Sequence, residues 1–344
     1  MSTVPRSGPH LGRRSRTPRP RRSAADAMIP AAEAIARFAA GLDALLPADK
    51  RLGVAVSGGA DSLALLLLAK AARPGRVEAA TVDHGFREAS RAEAEKVAAI
   101  CDTLGIPHTI LTADWIIPPS ANMQAEARAM RYRLLADWAE GRGLSAVAAA
   151  HHADDQAETL LMRLARGAGV RGLGGARPRR SLTERVMLVR PLLGWRRADL
   201  AAIVEATEME AVDDPTNRDP RYDRSRFRRV LADADWADPS RLAASAAALR
   251  DADEALDWAL APLIETRLMH DEPGVTVDPS GLPRELRRRL LLAGFAMLAA
   301  PVPRGPDLVR AMAALEAGET VTLSGLKLQG GDHWRLAHEP PRGR

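Results

Sequence analysis

Two hydrophobic rhythms alternate through the first half of the chain. Apolar residues recur at helical spacing from Ala32 to Leu46, and a short apolar run, Gly53 to Ser57, then reads as a strand. A Leu-rich helical run follows, carrying Leu63, Leu65, Leu66, Leu67 and Leu68. The pattern repeats: Val77 to Val82 as strand, Ser90 to Leu104 as helix, Pro107 to Leu111 as strand, Met123 to Glu140 as helix, Ala146 to Ala150 as strand. Strands alternating with helices at this spacing predict βαβ units, a parallel sheet and right-handed crossovers. After Asp214-Pro215-Thr216-Asn217 the alternation stops. Residues from about 224 to 300 read as helices, and Val321 to Leu323, Leu326 to Gln329 and His333 to Ala337 as short strands between Ser-Gly and Gly-Gly turns. The expected architecture is a Rossmann-like α/β sheet over 28–217, a linker over 218–240 and a smaller α+β domain over 241–344.

Charge changes this picture at one end. The chain carries a formal net charge of +5, but residues 1–27 hold seven Arg against one acid, Asp26, so the remainder is close to neutral. That Arg-, Pro- and Ser-rich segment has no apolar periodicity and reads as a disordered basic extension, with a fold that can begin at Met28. Only local basic clusters can therefore argue for nucleic acid. Cys101 is the single cysteine, which leaves no disulfide framework and no Cys-x-x-Cys site. Leu290 to Val302 is too short to span a bilayer, which takes ~20 apolar residues. No signal peptide is recognisable, and a cytoplasmic protein that does not engage a membrane is expected.

The candidate chemistry sits where predicted strands end, as ligand sites do in open parallel sheets. Ser57-Gly58-Gly59-Ala60-Asp61-Ser62 joins the first strand to the Leu-rich helix. Adjacent glycines let the backbone approach a ligand, and free N–H groups at a helix start suit a phosphate. A tight βα turn with Asp61 or Ser62 as helix cap is the simpler alternative. The loop lacks the Gly-Lys-Ser/Thr of a Walker loop and the third glycine of a dinucleotide fingerprint. His151-His152-Ala153-Asp154-Asp155-Gln156-Ala157-Glu158 ends the fourth strand. Its acids either favour a helix N-terminus or hold Mg²⁺ near phosphates. A glycine-rich loop from Gly167 to Gly175 lies in an Arg-rich stretch, and further arginines cluster at 218–229 and 284–289. Each cluster is either a solvated surface or a contact to a polyanion.

The loop resembles the PP-loop of ATP pyrophosphatases, Ser-Gly-Gly-x-Asp-Ser. The run His-His-x-x-Asp-Gln-x-Glu-Thr, with Val82-Asp83-His84-Gly85, Ala127-Arg128-x-x-Arg131-Tyr132, Arg190-Pro191-Leu192-Leu193 and Asp214-Pro215-Thr216-Asn217, is similar to the tRNA(Ile)-lysidine synthetase family. This closer likeness covers residues 50–230; Arg224-Ser225 departs from the Arg-Asn often found there. The resemblance implies an ATP-dependent carbon-nitrogen ligase that adenylates C2 of the wobble cytidine in a CAU-anticodon tRNA(Ile) and lets free lysine displace AMP. It implies Ser57 to Ser62 as the ATP cradle, Asp61 on Mg²⁺ or nucleotide, Arg131 at the α-phosphate, and His151 and Asp155 at the reacting base. Asp155 or Glu158 would receive lysine, with Asp155 a second Mg²⁺ candidate. Arg163, Arg166, Arg171, Arg224, Arg228 and Arg287 are the tRNA candidates, and a homodimer is compatible with it. For Arg131, a surface ion pair with Glu126 or Asp137 is the competing expectation. Competing functions are another PP-loop ligase, amidating or thiolating, and a non-catalytic nucleotide- or RNA-binding module.

Overall fold

The computed structural model describes residues 28–85, 88–115, 123–207, 209–212 and 223–339. The basic extension, the Asp214 to Asn217 motif, Arg218, Arg221 and Tyr222 lie outside the described residues. The chain divides into two compact units. One runs to Gln156 and resumes over Arg177–Arg229, and the other comprises Ala157–Ala176 and the chain from Val230 onward.

The first unit opens with helix α1 (Ala32–Asp43), β1 (Leu52–Ala55), α2 (Ala60–Ala72), β2 (Val77–Asp83), α3 (Glu88–Thr103), β3 (His108–Thr112), α4 (Met123–Gly141) and β4 (Ala146–Ala148). Helix α5 (Ala153–Leu164) carries the chain into the second unit, to which the short α6 (Val170–Leu173) belongs, and the first unit resumes with β5 (Arg179–Ser181), β6 (Met187–Val189), α7 (Arg197–Glu205) and the start of α8 (Asp223–Ala232). The sheet runs β3-β2-β1-β4-β6-β5, parallel throughout except for the antiparallel edge pair β5 and β6. The strand order reverses direction at β1, between β2 and β4, and the first βα loop leaves the sheet there.

Helix α2 is apolar all round because it is covered all round. Leu63, Leu65, Leu66 and Leu68 are fully buried in a core that includes Phe38 and Leu42 of α1 and Leu200 and Val204 of α7. Each buried Leu contributes about 1.5–3 kcal/mol relative to exposure, which anchors the helix start where the loop needs it. On the other face, Trp138 of α4 packs so closely on β1 that a Cβ on Gly53 would lie 2.7 Å from Trp138 Cζ3. Overpacking of this kind costs about 1–3 kcal/mol. Gly53→Ala is therefore expected to lower the urea midpoint with m unchanged, and Trp138→Leu in the same chain to restore part of the loss.

No element was expected between the glycine-rich loop and Asp214, yet β5, β6 and α7 lie there. Strands of three residues are too short to show a period of two. The second unit also differs from the helical expectation for 224–300. After α9 (Pro239–Arg267), β7 (Leu268–Asp271) and β8 (Gly274–Val277) form a hairpin, followed by α10 (Arg284–Met297), α11 (Gly305–Glu316), β9 (Thr320–Leu323), β10 (Leu326–Gln329) and β11 (Trp334–His338). These strands make an antiparallel sheet, β7-β8-β11-β10-β9. At Gly274 a Cβ would meet the Leu336 carbonyl oxygen at 2.2 Å, so the hairpin seats on β11 only with glycine there. Val275, Val277, Phe295, Met312, Trp334 and Leu336 fill the core beneath it.

Candidate active site at the strand ends

The loop after β1 is held from within and from one neighbour. Ser62 Oγ accepts from the Ser57 N–H at 3.2 Å and donates to the Gly59 carbonyl at 2.9 Å. Gly58, at φ +86°, offers its carbonyl to the Val212 N–H at 2.9 Å, and a Cβ there would lie 2.9 Å from Val212 Cγ2. Gly59 is the N-cap of α2 and no side chain caps it, so neither Asp61 nor Ser62 plays the capping part expected of them. Ser62 is spent on bracing the loop, and Asp61 is turned to another partner.

That partner is His152, which is buried and carries its charge among carboxylates. Its Nε2 lies 3.4 Å from Asp61 Oδ2 and 3.7 Å from Asp155 Oδ2, and its Nδ1 is 3.6 Å from Asp154 Oδ2. Burial alone would lower its pKa, but hydrogen bonds to Asp154 and Asp61 and the charge of Asp155 outweigh it and push the imidazole up to about 10. Asp154 works against the same burial and is held well below the usual carboxylate range by His152, the Arg197 N–H and Arg196. Asp155 is likewise lowered against burial, by His152 and Arg224. Its Oδ2 accepts from the His152 N–H at 3.1 Å and its Oδ1 from Arg224 Nη2 at 2.7 Å.

His151 is the opposite case. Burial lowers its pKa to about 3, with Arg190, Arg128 and Arg224 adding to the effect and Asp155 opposing it. Arg190 Nε donates to its Nδ1 at 3.2 Å. Arg131 faces His84 Nε2, with its Nη2 at 3.0 Å, and not Glu126 or Asp137. Burial and the Arg131 charge lower His84 to about 4, so a neutral ring receives the guanidinium. Tyr132 lies between two cations, Arg128 at 5.0 Å and Arg180 at 4.7 Å from its ring centre.

Ser57, Asp61, His84, Arg131, His151, Asp155 and Arg224 all line one cavity of about 870 Å³ within the first unit. Residues 31–234 match the PP-loop domain family model. A tRNA(Ile)-lysidine synthase of Novosphingobium aromaticivorans is 48% identical over 313 residues, covering 89% of this chain and 94% of that one. One from Zymomonas mobilis is 43% identical over 300 residues, covering 86% and 91%. The chain belongs to the tRNA(Ile)-lysidine synthase family.

Lysidine synthases are ATP-dependent ligases built on the PP-loop domain, and the cavity has that loop along one wall. A U34-tRNA thiolase of Methanococcus maripaludis has a similar fold, with a TM-score of 0.54 at 18% identity, covering 65% of this chain and 78% of that one. Among the described residues no helix is long and apolar enough to cross a membrane.

Of the residues expected at the site, Ser57, Gly59, Ala60, Asp61, Ser62, Arg131, His151, Asp155, Arg224 and Arg228 line the cavity. Gly58 shapes the loop from behind. Glu158, one turn beyond Asp155 on α5, is buried, belongs to the second unit and does not line the cavity. Arg163, Arg166, Arg171 and Arg287 belong to the second unit. There Arg163 donates to the Gly172 carbonyl at 2.5 Å, Arg171 reaches Asp257 at 2.5 Å and Asp253 at 3.4 Å, and Arg287 pairs with Glu316 at 2.7 Å. Sequence reasoning assigned no role to His152, Arg190, Arg128 or His84. Each stood within or beside a motif already noticed, but spacing does not show which of two adjacent histidines turns inward.

The two histidines give opposite limbs of stability against pH. His152, raised when folded, contributes stability that is full below the unfolded value of about 6.5 and is lost as pH rises through about 10. His151, lowered when folded, loses stability as pH falls from about 6.5 toward about 3. Chemical denaturation across pH is expected to show His152→Gln flattening the alkaline limb and His151→Gln the acid limb, by up to about 1.4 kcal/mol per pH unit each.

Proposed function

We propose that this chain adenylates the C2 oxygen of the wobble cytidine in a CAU-anticodon tRNA(Ile), and that free lysine then displaces AMP through its ε-amine to give lysidine. The observation that carries this reading is the meeting, in one cavity, of the phosphate loop with Asp61, Arg131, His151 and Asp155, the two acids joined behind it by His152. In the first step the cytosine O2 attacks the α-phosphorus, and pyrophosphate leaves with the electron pair of the broken bond. The loop N–H groups at the α2 N-terminus receive the departing phosphates. Arg131, kept in place by neutral His84, offsets charge at the α-phosphate.

Mg²⁺ fits Asp61, whose Oδ1 is buried without a hydrogen-bond partner. Among the described residues no three acidic, His or Cys side chains could hold a metal on their own, so ATP oxygens and water would complete the set. Bound there, the ion would neutralise phosphate charge. Asp155 has both oxygens engaged, by Arg224 and by the His152 N–H, which favours Asp61 as the ligand. The carboxylate of Asp155, which lines the cavity, supplies negative charge that a lysine ammonium requires.

Arg224 and Arg228, which line the cavity, are the tRNA-contacting groups in this reading. The test is pyrophosphate release by the purified protein with ATP, Mg²⁺ and tRNA(Ile) transcript, with and without lysine, followed by nucleoside mass analysis. Release that requires tRNA, with lysidine formed only when lysine is added, is the expected result. Release without tRNA would replace this reading with a small-molecule PP-loop synthetase, and no release with one of a binding module.

A further inference from the structure

We infer that Arg190 is a positioning residue that fixes the tautomer of His151, so that this imidazole acts on the substrate as an Nε2–H donor and not as a general base. The inference deepens the ligase reading above and rests on it for its chemical meaning. A guanidinium has only donors. Arg190 Nε lies 3.2 Å from His151 Nδ1, so Nδ1 must present its lone pair, and a neutral ring then carries its proton on Nε2.

Arg190 is well fixed for this task. It follows β6 directly and is 4% exposed. Its backbone N–H donates to the Pro178 carbonyl at 2.8 Å, and its Nη1 to the Arg177 carbonyl at 2.6 Å. Burial lowers its own pKa, but from so high a starting value that the guanidinium stays charged. Burial is the main reason the His151 ring stays neutral, with Asp155 opposing it and the charges of Arg190, Arg128 and Arg224 adding to it.

The consequence lies in the second step. The lysine nitrogen forms a bond to C2, the C2–O2 bond breaks, and AMP departs with O2 and the electron pair. A proton must leave the attacking amine. His151 has no free lone pair to receive it, because one ring nitrogen is engaged by Arg190 and the other already bears hydrogen. The proton therefore leaves to a group other than His151, such as the departing phosphate or solvent, and the His151 Nε2–H stabilises the charge that develops on the departing adenylate oxygens.

Ring-¹⁵N-histidine NMR of the full chain tests this without substrate, with the His151 signals among the eight histidines assigned from the His151→Gln spectrum. The expected result is an Nε2–H tautomer for His151 at neutral pH, lost to a tautomer mixture in Arg190→Met and restored toward Nε2–H in Arg190→Lys. Lysidine formation by Arg190→Met should fall about 10- to 100-fold in kcat, with little change in the KM for ATP. An Nδ1–H tautomer or an imidazolium in the wild-type chain would overturn the proposal, as would an Arg190→Met chain with unchanged tautomer and kcat. If Arg190→Met does not fold, the wild-type tautomer decides alone. An Nε2–H ring in a protein that makes no lysidine would instead remove the ligase reading and leave the tautomer assignment standing.

Discussion

Asp61→Asn is expected to lower tRNA-dependent pyrophosphate release by about 10²- to 10³-fold, the size of effect seen when one charge-stabilising group is taken from a reacting centre. The substitution keeps the shape of the side chain and removes its charge. Asp61 Oδ2 now faces the His152 imidazolium at 3.4 Å, and Oδ1 is buried with no hydrogen-bond partner. An amide in its place leaves His152 with one fewer anion and offers a cation a weaker oxygen. Because His152 keeps Asp154 and Asp155, the fold should survive, which denaturation of the variant would check. Full pyrophosphate release from a folded Asp61→Asn protein would exclude Asp61 from the chemistry and with it the cation site assigned above.

Gly58→Ala and Gly59→Ala are expected to fail to different degrees and for different reasons. At Gly58 the backbone has φ +86° and a Cβ would press on Val212 Cγ2 at 2.9 Å and Val97 Cγ2 at 3.2 Å. A non-glycine residue in that conformation costs about 1–3 kcal/mol, and the crowding of Val212 adds to it. If the strain is released by moving the loop, the KM for ATP rises by roughly 5- to 150-fold on the scale of 1.4 kcal/mol per tenfold. Gly59 has φ −69°, and its Cβ would meet nothing nearer than 3.9 Å. Its alanine variant should therefore unfold at the wild-type midpoint, and any rise in its KM reports crowding against the nucleotide alone. Equal loss of stability in both variants would show that the loop conformation is not what Gly58 protects.

How much of this could be read from the chain depended on the length over which each signal repeats. The alternation from Ala32 to Ala150 spans several turns and strands, and the parallel sheet followed from it. Strands β5 and β6 have three residues each, too few for alternation, and β7 and β8 lay between helices whose Ala and Leu runs dominated the window. The loop at Ser57 to Ser62 and the pair His151 and Asp155 stood out because their motifs resemble those of a known family, and both line the cavity. His152 did not stand out, since its importance comes from Asp61, which is 91 positions away in the chain and meets it only after the sheet forms. Arg190 was visible merely as part of Arg-Pro-Leu-Leu, and its bond to His151 belongs to the pairing of β6 with β4. Arginine counts near Gly167 to Gly175 gave no sign of Asp253 and Asp257, the acids on which Arg171 closes.

The antiparallel strand that ends the first sheet has a bearing on how the protein keeps company with itself. β5 reads Arg179-Arg180-Ser181, is exposed along its whole length and, among the described residues, pairs only with β6. A parallel sheet left open at a long apolar strand would be a template on which a second molecule could add its own backbone. Here that edge is three residues long and doubly cationic, so a like copy approaching edge-on meets repulsion before it finds a row of partners. Concentrated solutions of the folded chain are thereby guarded against polymerising through this flank.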